Sequence, residues 1–302
     1  MAIVLVIISL LPLWYPPSGQ AKTWDVELAE WRRTREADLK KEDGYLAVAG
    51  LFFLHTGTNT IGSDPKADIR LPADVALPVA GRVVISGGNA EYHPAPGVKA
   101  LVNGVIAVRP LPLRLADQAT KRPADLLTIG RLTLHLHLSG ERLGVRLRDP
   151  QSPSRTSFTR LEWFDADPAW KLTGRFVPFS VPKEVPIENV LGDVAPSTAP
   201  GEIEATIAGR PVRLLALSAS RGRLWIVFTD KTAEKLTYPI RFLYTDPPDA
   251  GGAVVLDFNR AYSAPCAFNP HTTCPLPPRQ NKLDVEVPAG ERNYTGPKPK
   301  AG

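Results

Sequence analysis

Prolines set the first limit on what this chain can become. There are 31 of them, spread from end to end. A proline inside a helix removes a hydrogen bond and clashes with the preceding turn, so long uninterrupted helices, and with them a helical bundle or coiled coil, are excluded. Prolines and 23 glycines instead punctuate short apolar runs. With 43% of the 302 residues hydrophobic and 22% charged, the chain can still bury a core, so wholesale disorder is excluded too. Its length suggests two domains.

Residues 2–14, AIVLVIISLLPLW, carry no charge and run directly into Tyr15-Pro16-Pro17. A membrane-spanning helix needs about 20 apolar residues, and this run stops short of that. Residues 1–21 therefore read as a signal peptide, with Gly19-Gln20-Ala21 as its cleavage site, although no Lys or Arg precedes the apolar run. The expected location is exported: periplasmic, secreted or cell-envelope associated, with no stable membrane span in the mature chain. A retained N-terminal anchor is the alternative. The net charge of +5 is mild, and its basic residues come in pairs such as Arg32-Arg33 and Lys40-Lys41. Nucleic-acid readers concentrate basic charge among stacking aromatics, so no nucleic-acid partner is expected.

Residues 22–43 predict an amphipathic helix. Trp24, Leu28, Trp31 and Leu39 recur at helical spacing, Thr23 can cap the start, and Asp43-Gly44 ends it. Its tryptophans are expected to dock on the domain that follows. Beyond Gly44 the pattern is of strands. Leu132, Leu134, Leu136 and Leu138 alternate with Arg131, Thr133, His135 and His137, and Asn103-Gly104 marks a two-residue hairpin. Further strands are read at Leu143–Arg148, Trp170–Phe179, Ile203–Ile207, Val212–Leu217, Leu224–Phe228, Arg241–Tyr244 and Ala253–Asp257. The fold class is mainly β: the N-terminal helix, a small β-sandwich-like module over residues 44–140, then a larger antiparallel β-sheet or barrel over residues 141–302.

The C-terminal third carries an unusual block. Asp257-Phe258-Asn259-Arg260-Ala261-Tyr262, Pro265-Cys266-Ala267-Phe268, Thr273-Cys274-Pro275-Leu276-Pro277-Pro278, Asn281 and Ala289-Gly290-Glu291 form a signature over residues 257–291. Gly50-Leu51-Phe52-Phe53-Leu54, Arg148-Asp149, Trp163-Phe164 and Thr237-Tyr238 accompany it upstream. Together they resemble a bacterial family of unknown function, DUF1684. The resemblance names a family and implies no activity. Ser263-Ala264 departs from the Asn-Pro expected there. Residues 45–138 are more weakly similar to forkhead-associated domains, through Asn59-Thr60-Ile61-Gly62, Asp68-Ile69-Arg70-Leu71, Asn103-Gly104 and Thr128-Ile129-Gly130. That resemblance implies a β-sandwich. Ser63 stands where the phosphate-binding arginine is expected, so phosphopeptide binding is not carried over.

Four groups invite a chemical reading. Cys266 and Cys274 are the only cysteines; in an exported protein they read as a disulfide, with free thiols or a metal site completed by His271 and Asp257 as alternatives. His135 and His137 share one face of a strand, as a metal pair would, but the simpler reading is a solvated face; no metal and no cofactor is expected. Ser63 to Lys66 imitates the Ser-x-x-Lys of penicillin-binding enzymes, yet Pro65 makes it a loop. Last, Asp257 and Asn259 at a strand end, with Tyr262 just beyond, would meet Arg241, Arg148, Asn281 and Glu291 if the strands close a barrel. Such a polar cluster suits a polar small molecule or glycan. Its competing reading is structural: an Asp257–Arg241 ion pair, with Asn259 and Asn281 bonding the backbone of the proline-rich loop. Trp163, Phe164, Trp170 and Trp225 read as core.

The expectation is thus an exported binding protein for a polar small molecule or glycan. A hydrolase using Asp257 or Glu291 as general base is the alternative, and a structural envelope protein the third.

Overall fold

The computed structural model describes residues 22–117 and 119–297. The expected signal peptide, residues 1–21, lies outside the described residues. No helix among the described residues is long and apolar enough to cross a membrane.

Helix α1 spans Trp24–Lys40, with Thr23 at its N-cap position but no side-chain hydrogen bond from it. The strands that follow are β1 (Val48–Phe53), β2 (Gly57–Gly62), β3 (Ile69–Arg70), β4 (Gly81–Ser86), β5 (Asn89–Pro94) and β6 (Ala100–Val102). Next come β7 (Val105–Ile106), β8 (Leu111–Leu113), β9 (Leu127–Ile129), β10 (Leu132–Ser139) and β11 (Arg142–Arg148). They make a six-stranded sheet, β1-β11-β10-β9-β6-β7, and a five-stranded sheet, β3-β2-β4-β5-β8. Asn103 and Gly104, at φ 51° and 79°, turn β6 into β7, a conformation that this residue pair adopts readily. Leu132, Leu134 and Leu136 of β10 and Val145 and Leu147 of β11 enter one core with Ile61, Val83 and Tyr92 of the facing sheet. Strand alternation then turns Thr133, His135, His137, Arg146 and Arg148 to the opposite face of the six-stranded sheet.

After a short helix α2 (Pro153–Thr156), the chain forms β12 (Lys171–Glu188), β13 (Val194–Ile207), β14 (Arg210–Ser218), β15 (Leu224–Phe228), β16 (Arg241–Thr245), β17 (Ala253–Asp257) and β18 (Tyr262–Ser263). These make one antiparallel sheet, β17-β12-β13-β14-β15-β16-β18, which ends on β17 and β18 and does not close into a barrel. One face packs Ile203, Leu214, Ile226, Phe228, Leu243, Leu256 and Phe258 into a single core. The opposite side carries Trp225, Phe242, Tyr244 and Tyr262, with Trp225 edge-on to Phe242 at 5.1 Å and stacked on Tyr244 at 6.0 Å.

Leu39 of α1 packs against Leu46, but the tryptophans of α1 do not dock on the module that follows, contrary to expectation. Trp31 packs edge-on to Trp163 at 5.6 Å and against Tyr262 at 6.1 Å, and Trp24 Nε1 donates to Asp257 at 2.9 Å. The reason is in the stripe itself: two indoles need a broad aromatic surface and an acceptor, and the β18 region supplies both.

Candidate functional site

Four of the seven predicted site residues are built into the interior. Arg241 and Leu243 share the inward face of β16, and Arg241 has no exposed surface. Its guanidinium pairs with Asp230, not with Asp257, and donates to the carbonyls of Ala289 at 2.7 Å and Val287 at 3.0 Å. The expected Asp257–Arg241 pair is therefore corrected: β16 and β17 are separate strands of an open sheet, and Asp257 finds nearer donors. Asn281 sits where β14 and β15 diverge. Its Oδ1 accepts from Leu215 N at 2.7 Å, and its Nδ2 donates to the Leu215 and Val227 carbonyls at 3.0 and 2.9 Å. Asn259 likewise exchanges hydrogen bonds with the backbone of Asp167, at 3.0 and 2.9 Å.

Glu291 is wholly buried, 3.5 Å from Arg35 Nε. Burial pushes its pKa up, and Arg35 opposes that shift. Gly290 brings the chain there at φ 82°, so close to the Ala261 and Phe258 carbonyls that no side chain would fit. Asp257 is 7% exposed and is held by Trp24, by Asn259 at 3.0 Å and by Arg260 Nε at 3.4 Å. Strand alternation was expected to put Asp257 and Asn259 on one face. Instead a single 3-10 turn, Phe258–Arg260, intervenes, and Asp257 caps it by accepting from Asn259 N. The seven residues do not converge on one hollow.

Asp257, Tyr262 and Arg148 do reach hollows, and these lie at the seam between α1, the outward face of the larger sheet and the outward face of the six-stranded sheet. The largest, about 530 Å³, is lined by Arg35, Lys171, Arg223, Tyr244, Asp257 and Tyr262 among others. A second, about 220 Å³, has Arg35, Tyr45, Arg146, Trp225, Tyr244 and Tyr262 in its walls, closed on one side by Thr273 and Cys274. A third, about 420 Å³, holds Arg148 beside Arg35, Tyr45 and Asp43. Arg35 is common to all three.

Glu27, Asp38, Asp43, Asp246 and Asp257 share the seam's hollows with its arginines, and of the three only the 220 Å³ hollow has no acidic lining. Among the described residues, Arg146, Arg148 and Arg223 make no ion pair. Arg146 Nη2 donates to His137 Nε2 at 2.8 Å and to Thr273 Oγ1 at 3.2 Å. Because His137 Nε2 accepts there, its ring proton belongs on Nδ1. Burial depresses the pKa of both Arg146 and Arg148. His135 and His137 are pushed down to about 4, by burial first and the neighbouring arginines second. The solvated face expected for these histidines is thus a covered one, because the loop carrying Thr273 packs over it. That loop is fastened by Cys266 and Cys274, which stand at disulfide distance with Cα atoms 6.2 Å apart.

Residues 156–292 match the family described as protein of unknown function, DUF1684. None of the curated proteins matches the chain. Among solved structures, an uncharacterised protein of Haloarcula marismortui is 28% identical, covering 48% of this chain and 82% of that one, with a TM-score of 0.40. Forkhead-associated domains, which residues 45–138 resemble, are also among the similar structures. The FhaA FHA domain is 18% identical, covering 32% of this chain and 86% of that one, with a TM-score of 0.23. A second, from work on phosphothreonine-dependent FHA interactions, is 18% identical, covering 32% and 92%, with a TM-score of 0.23.

The DUF1684 match contributes Arg223, Trp225, Tyr244, Tyr262 and Thr273 to the seam. Arg35, Tyr45, Arg146 and Arg148 come from outside it. Of the residues lining the seam, sequence reasoning singled out Asp257, Tyr262 and Arg148 as ligand contacts. One signal pointed to Arg35: it continues the stripe Trp24, Leu28, Trp31 and Leu39 at helical spacing, and a charge in an apolar stripe needs a buried partner. Another lies in β11, whose arginines at 146 and 148 share one face and oppose no acidic strand.

Proposed function

We propose that this chain is an exported binding protein for a polar small molecule, seated at the seam between α1 and the larger sheet. The observation that carries the reading is that Arg35, Tyr244 and Tyr262 are shared by two adjoining hollows of about 530 and 220 Å³. Small-molecule sites run to roughly 300–1,000 Å³ and join aromatic walls to a few polar groups. The larger hollow carries both signs of charge, Arg223 and Lys171 against Asp246 and Asp257, and suits a polar or zwitterionic ligand or a short glycan. Export is part of the proposal, and the disulfide spacing of Cys266 and Cys274 supports an oxidising compartment.

A hydrolase working through Asp257 or Glu291 has less support. Glu291 has no exposed surface, and Asp257 is occupied by three donors. The test is a thermal-shift screen of polar metabolites and oligosaccharides, followed by calorimetry on the hits. A true ligand should lose its stabilising effect in the Arg223→Ser, Tyr244→Ser variant. A ligand that stabilises this variant as well as the native chain would move the site elsewhere and overturn the reading.

A further inference from the structure

The smaller hollow has a composition that narrows the ligand. Its two charged residues, Arg35 and Arg146, are both cationic, and no Asp, Glu, Asn or Gln lines it. Five of its lining side chains are aromatic: Tyr45, Trp225, Phe242, Tyr244 and Tyr262. We infer that this pocket takes an anionic group carried on a single flat ring, that is, a carboxylated or phosphorylated aromatic. The inference rests on the seam being the binding site and names its ligand class.

Part of the donor set is unspent. Arg35 faces the buried Glu291 with Nε at 3.5 Å, uses Nη2 on the Ser263 carbonyl at 3.2 Å and lays its guanidinium over the Tyr262 ring at 4.3 Å. Arg146 uses Nη2 on His137 and Thr273. Neither Nη1 has a hydrogen-bond partner among the described residues, and Arg146 Nε and Trp225 Nε1 are buried with none. Guanidinium groups bond carboxylate and phosphate oxygens in charge-assisted pairs, and an anion would give Arg146, which makes no ion pair among the described residues, a counter-charge. A neutral sugar fits badly, since its hydroxyls need acceptors and this wall offers no carboxylate or amide side chain. The aromatic walls favour stacking or edge contact with a planar ring. At about 220 Å³ the pocket falls below the range for drug-sized ligands, which limits it to about one ring.

The probes are benzoate, phenyl phosphate, acetate, inorganic phosphate, benzyl alcohol and a neutral disaccharide, titrated into the full mature chain by calorimetry and tryptophan fluorescence. Benzoate or phenyl phosphate should bind at least about tenfold more tightly than benzyl alcohol and than the ring-free anions, and the preferred one identifies the acid. Arg146→Met should weaken the aryl anion at least about tenfold, and Arg146→Lys should restore part of it. Tyr45, at the open rim and 46% exposed, gives a second variant that spares the interior. Tyr45→Ala should lower the preference for benzoate over acetate even if Arg146→Met alters the fold. Benzyl alcohol binding as well as benzoate, or aryl-anion binding unchanged in both variants, would overturn the inference. Disaccharide binding that is lost in Arg223→Ser, with no aryl-anion binding, would also overturn it while leaving the proposed seam site intact.

Discussion

Removing the charge of Arg241 separates a structural role from a ligand role, because its environment sets a large cost. Arg241 has no exposed surface, bonds Asp230 and two carbonyls, and stacks over the Phe228 ring at 4.7 Å. Asp230 in turn accepts from Thr232 N at 2.9 Å, Thr232 Oγ1 at 2.6 Å and Val287 N at 3.1 Å. Arg241→Met keeps most of the stem volume but strands a carboxylate and two carbonyls in the interior. Breaking a buried pair from one side costs about 3–5 kcal/mol. The abandoned carbonyls add about 1 kcal/mol or more. Against a total stability of about 5–15 kcal/mol, this should bring the larger sheet close to unfolding.

Asp230→Asn preserves the acceptor for Thr232 and Val287 but leaves Arg241 without a counter-charge, for about 3 kcal/mol. Combining the two removes both charges, so the double variant should fall short of the summed losses by at least about 2 kcal/mol. Urea unfolding followed by the fluorescence of Trp225 and its neighbours measures all four corners of this cycle. A loss below about 1 kcal/mol for Arg241→Met, or strictly additive losses, would refute the buried-pair argument. Lost ligand binding at unchanged stability would return Arg241 to the site.

Acid should also unfasten the seam. His135 and His137 have folded pKa values of about 4 against an ordinary 6.5, so between those values the unfolded chain binds more protons and stability falls as pH falls. At about 1.4 kcal/mol per unit, discounted for partial solvent access, the loss is about 1–2 kcal/mol for each histidine between pH 6.5 and 4. It should vanish in a His135→Asn, His137→Asn variant followed by thermal melting across that range; an unchanged slope would refute the assignment. Cys266→Ser, Cys274→Ser opens a loop closed across a sequence separation of 8 residues, which loop-closure entropy values at about 2–3 kcal/mol. Because that loop holds Thr273 against Arg146 and His137, the same variant should weaken aryl-anion binding, and intact binding with a lowered melting temperature would show the two to be independent.

Much of the architecture was legible because alternation is a local signal. Leu132, Leu134 and Leu136 announced β10, Asn103-Gly104 announced the β6–β7 hairpin, and Trp24, Leu28, Trp31 and Leu39 announced α1. The long arm was not legible. The strands expected at Trp170–Phe179 and Ile203–Ile207 are longer than that: β12 runs to Glu188 and β13 starts at Val194, with Pro186 opposite Pro196. Beyond Arg175 and before Gly201 this hairpin has no third strand on either side, so a proline without an N–H can face an open edge. The site failed for a different reason. Asp257, Asn259, Arg241, Asn281 and Glu291 are polar residues near one another in sequence or strand order, and a polar cluster reads the same whether it lines a hollow or fastens an interior. Only long-range pairing distinguishes the two, and Asp230, Leu215 and Asp167, the partners that decide it, are remote in sequence from one or more of them.

The distribution of charge at the seam explains how such a cleft can stand open. Arg146 and Arg148 repel each other there, while Arg35 is answered by the buried Glu291 and Arg148 by Asp43. The two β units are held together at the margins. At the hairpin tip Asp193 bonds Ser139 and Arg142, each at 2.6 Å, and Asn189 donates to Ser139 at 2.9 Å. On the other side Asn269 donates to the carbonyls of Tyr45 and Val48, and Arg155 donates to the Lys40 carbonyl at 2.7 Å. These contacts join the two units at the rim, and on the proposed reading an anion at the centre would offset the repulsion between Arg146 and Arg148. Ligand binding should therefore stiffen the joint between the two β units as well as fill a pocket, because the same arginines belong to both.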